Sequence, residues 1–302
     1  MAQDEAARRN DGDFAHLDPG GRAIAALSRR PVGGVFAAIA IMVAIAWAVL
    51  GAMAVEFAAL APPGGAGPGG FLVERIPALP IPAALDWFFR LCLAPSDAAS
   101  GGARFAVLAT MWLMMSIAMM LPSAAPMIRT YCEIADTAAV KGEAVVHPIV
   151  LVAGYLATWA AASAGFALAT IAVGAFMAGE GLGPIRGAAG AVALALAGAY
   201  QFTALKEACL EKCRNPFAIL FARWSSRPAA VFRLGMEQGL WCLGCCWALM
   251  LVMFAVGLMN LFWMALLAVF ATVEKLVGGP VPTRAAGAIL LVWAAALLLL
   301  SI

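Results

Sequence analysis

The sequence predicts an all-α fold, a polytopic bundle of membrane-spanning helices, from its composition and from its long apolar segments. Of the 302 residues, 64% are hydrophobic and only 12% are charged, and the mean hydropathy is +0.94. Soluble domains carry about 45–50% apolar and about 25% charged residues. The composition therefore excludes a soluble enzyme, a disordered chain and a disulfide-stapled secreted domain.

Seven segments have the length that a helix needs to cross a bilayer, which is about 20 residues. The predicted spans cover about 31–61, 103–128, 147–178, 188–208, 229–256, 260–277 and 285–302. The apolar stretch 229–277 would be about 70 Å long as one helix, so we predict that it folds back near Gly257–Asn260. Residues 1–30 lack the apolar region of a signal peptide and are predicted to form a solvated cytoplasmic tail, followed by the bundle over 31–302.

The basic residues predict the orientation of these spans. With the N-terminus inside, 15 Lys and Arg lie in the inner connections and helix ends, and four lie outside. This split predicts an N-in, C-out multi-pass protein, which in a bacterium means the plasma (inner) membrane. The net charge of +2 and the absence of a P-loop motif argue against nucleic-acid and nucleotide partners.

The second span carries a methionine stripe within MWLMMSIAMMLPSAAPM. Met111, Met115 and Met119 recur every four residues and share one helix face, and Pro122 and Pro126 disturb the helix beyond them. Thioethers are soft ligands that select Cu(I). Methionine also fills apolar cores, so for this stripe taken alone packing is favoured over metal binding.

The fifth span carries a cysteine cluster within WCLGCCWALMLVM. Cys242, Cys245 and Cys246 fall at i, i+3 and i+4 and face one side of the helix. Cysteine often packs as a small hydrophobe, and for this segment alone packing and metal ligation are evenly balanced. Met115 and Cys245 both lie near the middle of their spans, so their sulfur atoms would converge at one depth if the second and fifth spans touch.

A third sulfur motif, LKEACLEKCRNP, follows the fourth span. If the helix of that span continues to Asn215, Cys209 and Cys213 share one face at i and i+4 and could hold a metal at the inner mouth. The spacing differs from the CxxC of zinc sites, and packing or solvent exposure at a helix end is the favoured alternative. Asn215 followed by Pro216 predicts the start of a new surface helix.

The remaining polar residues in the spans have structural interpretations. Glu237 is a functional candidate as a polar residue at the start of a span, and a local ion pair with Arg233 one turn earlier is an alternative that is at least as well supported. The Glu274–Lys275 pair is predicted to be simply the cytoplasmic end of the sixth span. The GxxxG pattern at 235–239 predicts close helix packing.

Together these pieces resemble a bacterial family of predicted metal-binding integral membrane proteins of unknown function. The matching stretches are Trp112 with AMMLP at 118–122, LKEACLEKCRNPF at 205–217, CLGCCWALM at 242–250, GLMN at 257–260, Met264, and the Glu274–Lys275 pair. The resemblance covers about 104–275. It implies a sulfur-lined metal site and names neither the metal nor the task.

The leading hypothesis is a buried soft-metal site for copper, as Cu(I), among the second, fourth and fifth spans, serving transport or delivery to a cuproenzyme. Its candidate ligands are Met115, Met119, Cys242, Cys245 and Cys246, with Cys209 and Cys213 as an inner exchange point. No catalytic residue is predicted. The expected partners are the lipid bilayer and a second membrane subunit or a metallochaperone.

Two other functions stay open at this point. One is a membrane subunit of a copper-dependent oxidase or monooxygenase, in which a partner chain completes the site. Only two histidines occur, which argues against an O₂-activating centre in this chain alone. The other is a scaffold subunit of a larger membrane complex, in which the sulfur side chains only pack.

Overall fold

The structure is a computed structural model that describes residues 31–60, 101–176 and 183–301. Over these ranges it consists of ten helices and contains no strand. The helices are α1 (Pro31–Leu60), α2 (Gly101–Ser123), α3 (Ala125–Val140), α4 (Pro148–Phe176), α5 (Gly183–Tyr200), α6 (Ala204–Arg214), α7 (Pro216–Ala222), α8 (Pro228–Val256), α9 (Leu261–Leu276) and α10 (Val281–Ser301). The predicted all-α class is confirmed for the described residues.

Five of these helices, α1, α2, α4, α8 and α10, are long and apolar enough to cross a membrane. The pair α5 and α6 would add a sixth crossing if it counts as one span, although the two helices meet at a bend of 64°. Helix α9 has 16 residues, fewer than the roughly 20 that a bilayer requires. The predicted number of seven spans and their orientation stay predictions, and the tail 1–30 lies outside the described residues.

The predicted second span, 103–128, is not one continuous helix, because the helix is interrupted after Ser123. Helix α2 contains Pro122 in its last turn and ends at Ser123. Pro126 then occupies the first turn of α3. Proline lacks the N–H that would continue the helix and clashes with the preceding turn, so the chain changes direction between the two prolines.

The predicted fourth span, 188–208, is not one continuous helix, because α5 stops at Tyr200 and α6 begins at Ala204. The Thr203 side chain accepts a hydrogen bond from the Lys206 backbone N–H at 3.3 Å. This is an N-cap, which begins a new helix instead of extending the old one. The cysteine motif therefore lies on the separate helix α6, not on a continuation of the span to Asn215.

The predicted reversal after the fifth span is confirmed. Helix α8 ends at Val256, Gly257 adopts a φ of 102°, and the Asn260 side chain caps α9 by accepting from the Trp263 N–H at 3.3 Å. A positive φ of this kind favours glycine. The predicted surface helix beginning at Pro216 is confirmed as α7.

Helix α8 lies at the centre of the bundle and packs along α4, with α5 and α6 beside it. A methyl group at Gly235 would overlap with the carbonyl of Leu151, and one at Gly154 would overlap with the carbonyl of Phe232. The predicted GxxxG packing is therefore confirmed as backbone-to-backbone contact between α4 and α8. On its α6 side, a methyl group at Gly244 would lie 2.6 Å from Cys209 Sγ, so glycine also sets the approach of α6.

Candidate metal centre

The middle of α8 presents its three cysteines to the interior of the bundle. Cys242, Cys245 and Cys246 are all buried. The thiols of Cys245 and Cys246 are oriented by their own helix. The Cys242 carbonyl accepts a hydrogen bond from Cys245 Sγ at 3.1 Å and from Cys246 Sγ at 2.6 Å. The Sγ atoms of Cys242 and Cys246 lie 3.9 Å apart.

Helix α6 adds a fourth thiol to this group. Cys213 Sγ lies 3.9 Å from Cys245 Sγ, and Cys213 is only half-buried. Cys209, one turn earlier on α6, is buried against Gly244. Two sulfur atoms within about 4.6 Å, twice a metal–sulfur bond of about 2.3 Å, can bind one ion. Both 3.9 Å pairs meet this condition.

A cavity of about 160 Å³ lies beside two of these thiols, Cys213 and Cys242. Tyr155 of α4 lines it and places its hydroxyl 3.0 Å from Cys242 Sγ. The same hydroxyl donates to the Met120 carbonyl at 3.1 Å. Tyr155 therefore joins the last turns of α2 to the cysteines of α8.

Lys275 of α9 contacts the same thiol. Its Nζ donates to Ser123 Oγ at 2.6 Å and to Cys242 Sγ at 3.0 Å. Glu274 and Lys275 do stand in the last turn of α9, but their interpretation as simply a helix end is wrong, since both side chains are buried. The pair turns inward because the end of α9 packs against α2 and α6.

A buried ion pair is hydrogen-bonded to the turn of α8 that carries the three cysteines. Lys206 Nζ lies 2.9 Å from Glu274 Oε2, and both side chains are at most 1% exposed. Lys206 Nζ also donates to the Cys245 carbonyl at 2.8 Å. Arg214 donates to the Glu274 carbonyl at 2.9 Å. These contacts tie α6, α8 and α9 together, and leaving either member of such a buried pair alone is costly.

Sequence reasoning missed Lys206, although a signal was present. Lys206, Cys209 and Cys213 fall at i, i+3 and i+7, which is one face of a helix. A lysine on the face that carries two candidate ligands indicates a buried charge. The partner Glu274 lies 68 residues away in sequence, so no local pattern identifies it.

The candidate ligands Met115 and Met119 lie on α2, further from its C-terminal end than the residues that contact the cysteine side. Met115 and Met119 are fully buried and belong to the same continuous core as the α8 cysteines. The contacts from α2 to the cysteine side come from its last turns, through the Met120 carbonyl and the Ser123 hydroxyl. Ser123 is eight residues beyond Met115, about 12 Å along a helix. The part of α2 that meets the Cys242 side therefore begins at Met120, one residue beyond Met119 and five beyond Met115.

The cysteines thus form pairs instead of a compact cluster. Within the part of the chain that the structure describes, no group of three or more His, Cys, Asp or Glu side chains is arranged to hold a metal ion. Structural zinc sites use four ligands in a tetrahedron, an arrangement that the described cysteines do not form. Soft thiolates also bind Cu(I), so the donor set of two close sulfur pairs is compatible with copper.

Two features outside the centre complete the electrostatic description. Glu237 pairs with Arg223 and not with Arg233, the local alternative from the sequence, because the short turn between α7 and α8 brings Arg223 back over the start of α8. On α3, burial raises the pKa of Cys132 to about 11, helped by the charge of Asp136. A thiol with that pKa is protonated at neutral pH and is a poor metal ligand.

Comparison with known proteins adds one decisive finding. The profile of the family described as "PpoB2: Copper chaperone" matches residues 109–297. The chain belongs to the PpoB2 copper chaperone family. The matched range includes every candidate ligand, and the description of the family indicates copper as the metal. No curated protein and no solved structure matches the chain.

The family membership supports copper as the metal of the leading hypothesis and the metal-binding character that the resemblance implies. It also supports copper handling as the general function of the chain. A bacterial source, insertion into a membrane and the identity of each ligand are not tested by the PpoB2 match, and they stay predictions.

Proposed function

We propose that this protein is a membrane-embedded copper chaperone that holds Cu(I) on the thiols of α8 and α6 and passes it to a cuproenzyme. The observation that carries the proposal is the meeting of Cys213 with Cys245, 3.9 Å apart, beside the cavity lined by Cys213 and Cys242. This arrangement puts soft ligands from two helices where an ion can reach them. Membership of the PpoB2 family supports copper as the cargo.

The cavity wall suggests the order in which copper meets the thiols. Cys213 is the half-buried thiol and serves as the entry point, while Cys245 and Cys246 are fully buried behind it. At a spacing of 3.9 Å, an ion can bind the incoming and the outgoing sulfur at the same time. Handover then proceeds by replacement of one ligand at a time, without release of a free ion.

Within this proposal the predicted ligands take different parts. Cys213, Cys242, Cys245 and Cys246 hold the ion in the two close pairs. Cys209 is buried against Gly244, so the inner exchange role belongs to Cys213. Met115 and Met119 extend the sulfur-rich core beyond the pairs and would hold copper only if it moves further along α2.

The described helices support the membrane insertion that this proposal includes. Five described helices have the length and apolarity of spans. Large apolar side chains are exposed on α1 and α10, such as Ile41 and Val292 at 61% and 71%, and lipid would cover them. We therefore propose a plasma-membrane protein of a bacterium, N-in and C-out, with the cavity at its cytoplasmic side.

The test is the copper content of the full chain, purified anaerobically in detergent and loaded with copper under reducing conditions. The wild type should hold stoichiometric copper. A variant combining Cys242→Ser, Cys245→Ser and Cys246→Ser should hold none. The matched control is Cys132→Ser, a buried thiol on α3 that does not line the cavity, which should keep the wild-type copper content.

Three results would change the conclusion. A wild type without copper would overturn the proposal and favour a scaffold subunit. Copper retained by the triple variant would move the site away from α8. Copper-dependent oxidation of a substrate on addition of a partner subunit would favour a membrane subunit of an oxidase over a chaperone.

A further inference from the structure

A groove of about 420 Å³ lies between the C-terminal end of α7 and the first half of α8, away from the cysteines. Its charged residues are Arg223, Arg233 and Glu237. Glu237 forms its ion pair with Arg223. Arg233 is exposed and forms no ion pair with another described residue. The residues that line the groove therefore have one positive charge in excess, at Arg233.

The excess of positive charge extends along the chain around the groove. Residues 212–233 contain five Lys and Arg and no Asp or Glu. Arg227, which precedes α8, is also exposed and without an ion-pair partner among the described residues. A basic surface next to a membrane span attracts the anionic lipids of the leaflet that it faces.

The other half of the groove is apolar. Met236 and Leu240 line it and are 38% and 57% exposed. Arg233, Glu237 and Leu240 fall at i, i+4 and i+7 and share one face of α8. Along this face the charged residues come first and the apolar ones follow toward the middle of the helix. A phospholipid has the same order, with its phosphate at the membrane surface and its acyl chains below.

The length of α8 places this change of polarity at the surface of the bilayer. The helix has 29 residues and is about 43 Å long, whereas the hydrocarbon core of a bilayer is about 30 Å thick. A centred helix therefore extends about 6 Å, or about four residues, beyond the core at each end. Arg233 is the sixth residue of α8, so its long side chain reaches the headgroups. Leu240, about 10 Å further along, lies at the level of the acyl chains.

We propose that this groove binds one phospholipid with an anionic headgroup, its phosphate on Arg233 and an acyl chain along Met236 and Leu240. A guanidinium binds phosphate through two parallel hydrogen bonds. The single positive charge in excess favours a headgroup of net charge −1 over a zwitterionic one. The proposal rests on the proposed membrane insertion and is independent of copper.

The first test is native mass spectrometry of the full chain in detergent, with phosphatidylglycerol and phosphatidylcholine as the probes. The wild type should retain one phosphatidylglycerol at a concentration at which it retains little phosphatidylcholine. Arg233→Gln should weaken phosphatidylglycerol binding by about tenfold or more, because it removes charge-assisted hydrogen bonds. Arg233→Lys keeps the charge and should lose less.

The matched control is Arg284→Gln. Arg284 is likewise an exposed arginine in the first turn of an apolar helix, α10, and it does not line the groove. This variant should bind phosphatidylglycerol within about twofold of the wild type. Equal losses in Arg233→Gln and Arg284→Gln would overturn the proposal, since arginines at helix ends would then attract anionic lipid without a specific site. Equal retention of the two lipids by the wild type would overturn it as well.

The second test distinguishes a lipid from a free phosphate. Leu240→Asn should weaken phosphatidylglycerol binding, because it removes the contact with the acyl chain and leaves the charges in place. Inorganic phosphate and glycerophosphoglycerol, the headgroup without acyl chains, should not displace the lipid. Displacement by either one, or unchanged binding in Leu240→Asn, would overturn the lipid as the ligand. Circular dichroism of each variant checks that the comparison is between folded proteins.

Washing cell membranes with alkaline carbonate tests the insertion by itself. Release of the chain would overturn the membrane insertion and the lipid site together. A chain that stays in the membrane but shows no preference for phosphatidylglycerol would overturn the lipid site alone. The copper content of Arg233→Gln should equal that of the wild type, so the copper proposal fails or stands on its own measurement.

Discussion

The cysteines of α8 and the methionines of α2 are equally buried, but their surroundings differ. Cys242 contacts the Tyr155 hydroxyl and the Lys275 ammonium, each at 3.0 Å. The methionine stripe lies on the same helix as Trp112, whose ring stacks on Phe166 at 4.8 Å. Burial of sulfur is thus common to both regions, whereas polar side-chain contacts to sulfur occur, among the described residues, only in the cysteine region.

The largest expected effect comes from the buried ion pair of Lys206 and Glu274, beside the cysteines of α8. Glu274→Gln leaves Lys206 without its buried partner, and the free energy of unfolding should fall by about 3–5 kcal/mol. Denaturant unfolding in detergent measures this loss. The double variant Lys206→Met/Glu274→Leu removes both charges and should lose much less. An equal loss in the double variant would mean that the pair matters by packing and not by charge.

The next effect concerns the hydroxyl that contacts Cys242. Tyr155→Phe removes this contact and should weaken copper binding by about 10–100-fold, the usual cost of losing a residue that orients a ligand. Competition with a Cu(I) chelator measures the affinity. Tyr131→Phe is the matched control, since that hydroxyl donates to the Val146 carbonyl away from the centre. Equal losses in the two variants would contradict a specific role for Tyr155.

A smaller effect is expected on the methionine side of the comparison. Replacing Met115 and Met119 by leucine conserves volume, so each change should cost less than about 1.5 kcal/mol of stability. Copper affinity should change little if the pair only packs. A loss as large as that of Tyr155→Phe would instead extend the metal site along α2. The same chelator competition and unfolding measurements decide between these results.

The smallest effect concerns the thiol that lies outside the centre. Because burial raises the pKa of Cys132 to about 11, its thiolate fraction, and so its alkylation rate, should rise about tenfold per pH unit up to that value. Mass spectrometry of the alkylated peptide follows the rate. In unfolded protein the rise should level off at a lower pH, since an exposed thiol has an ordinary pKa of about 8.5. Levelling at the same pH in the folded protein would contradict the burial effect.

Local patterns in the sequence predicted the parts of the molecule that depend on neighbouring residues. The i, i+3, i+4 spacing of the α8 cysteines and the reversal at Gly257 are of this kind. The breaks after Ser123 and Tyr200 were harder to predict, because hydropathy continues through them and only proline and the Thr203 cap interrupt the helices.

The polar side chains around the cysteines could not be predicted in the same way. The contact of Lys275 with Ser123 joins residues 152 positions apart, and burial of the lysine depends on how α9 meets α2. In isolation, the charged pair at 274–275 looked like any helix end at a membrane surface. Only the packing of three helices identifies it as part of the cavity wall.

The contacts of Lys206 and Arg214 have a mechanical consequence. They hold α6, α8 and α9 together as one unit, since sliding any of the three helices would break the hydrogen bonds to the Cys245 and Glu274 carbonyls. The facing wall of the cavity is formed where α2 passes into α3, between Pro122 and Pro126. Prolines remove backbone hydrogen bonds there, so we expect this wall to deform more readily than the opposite one.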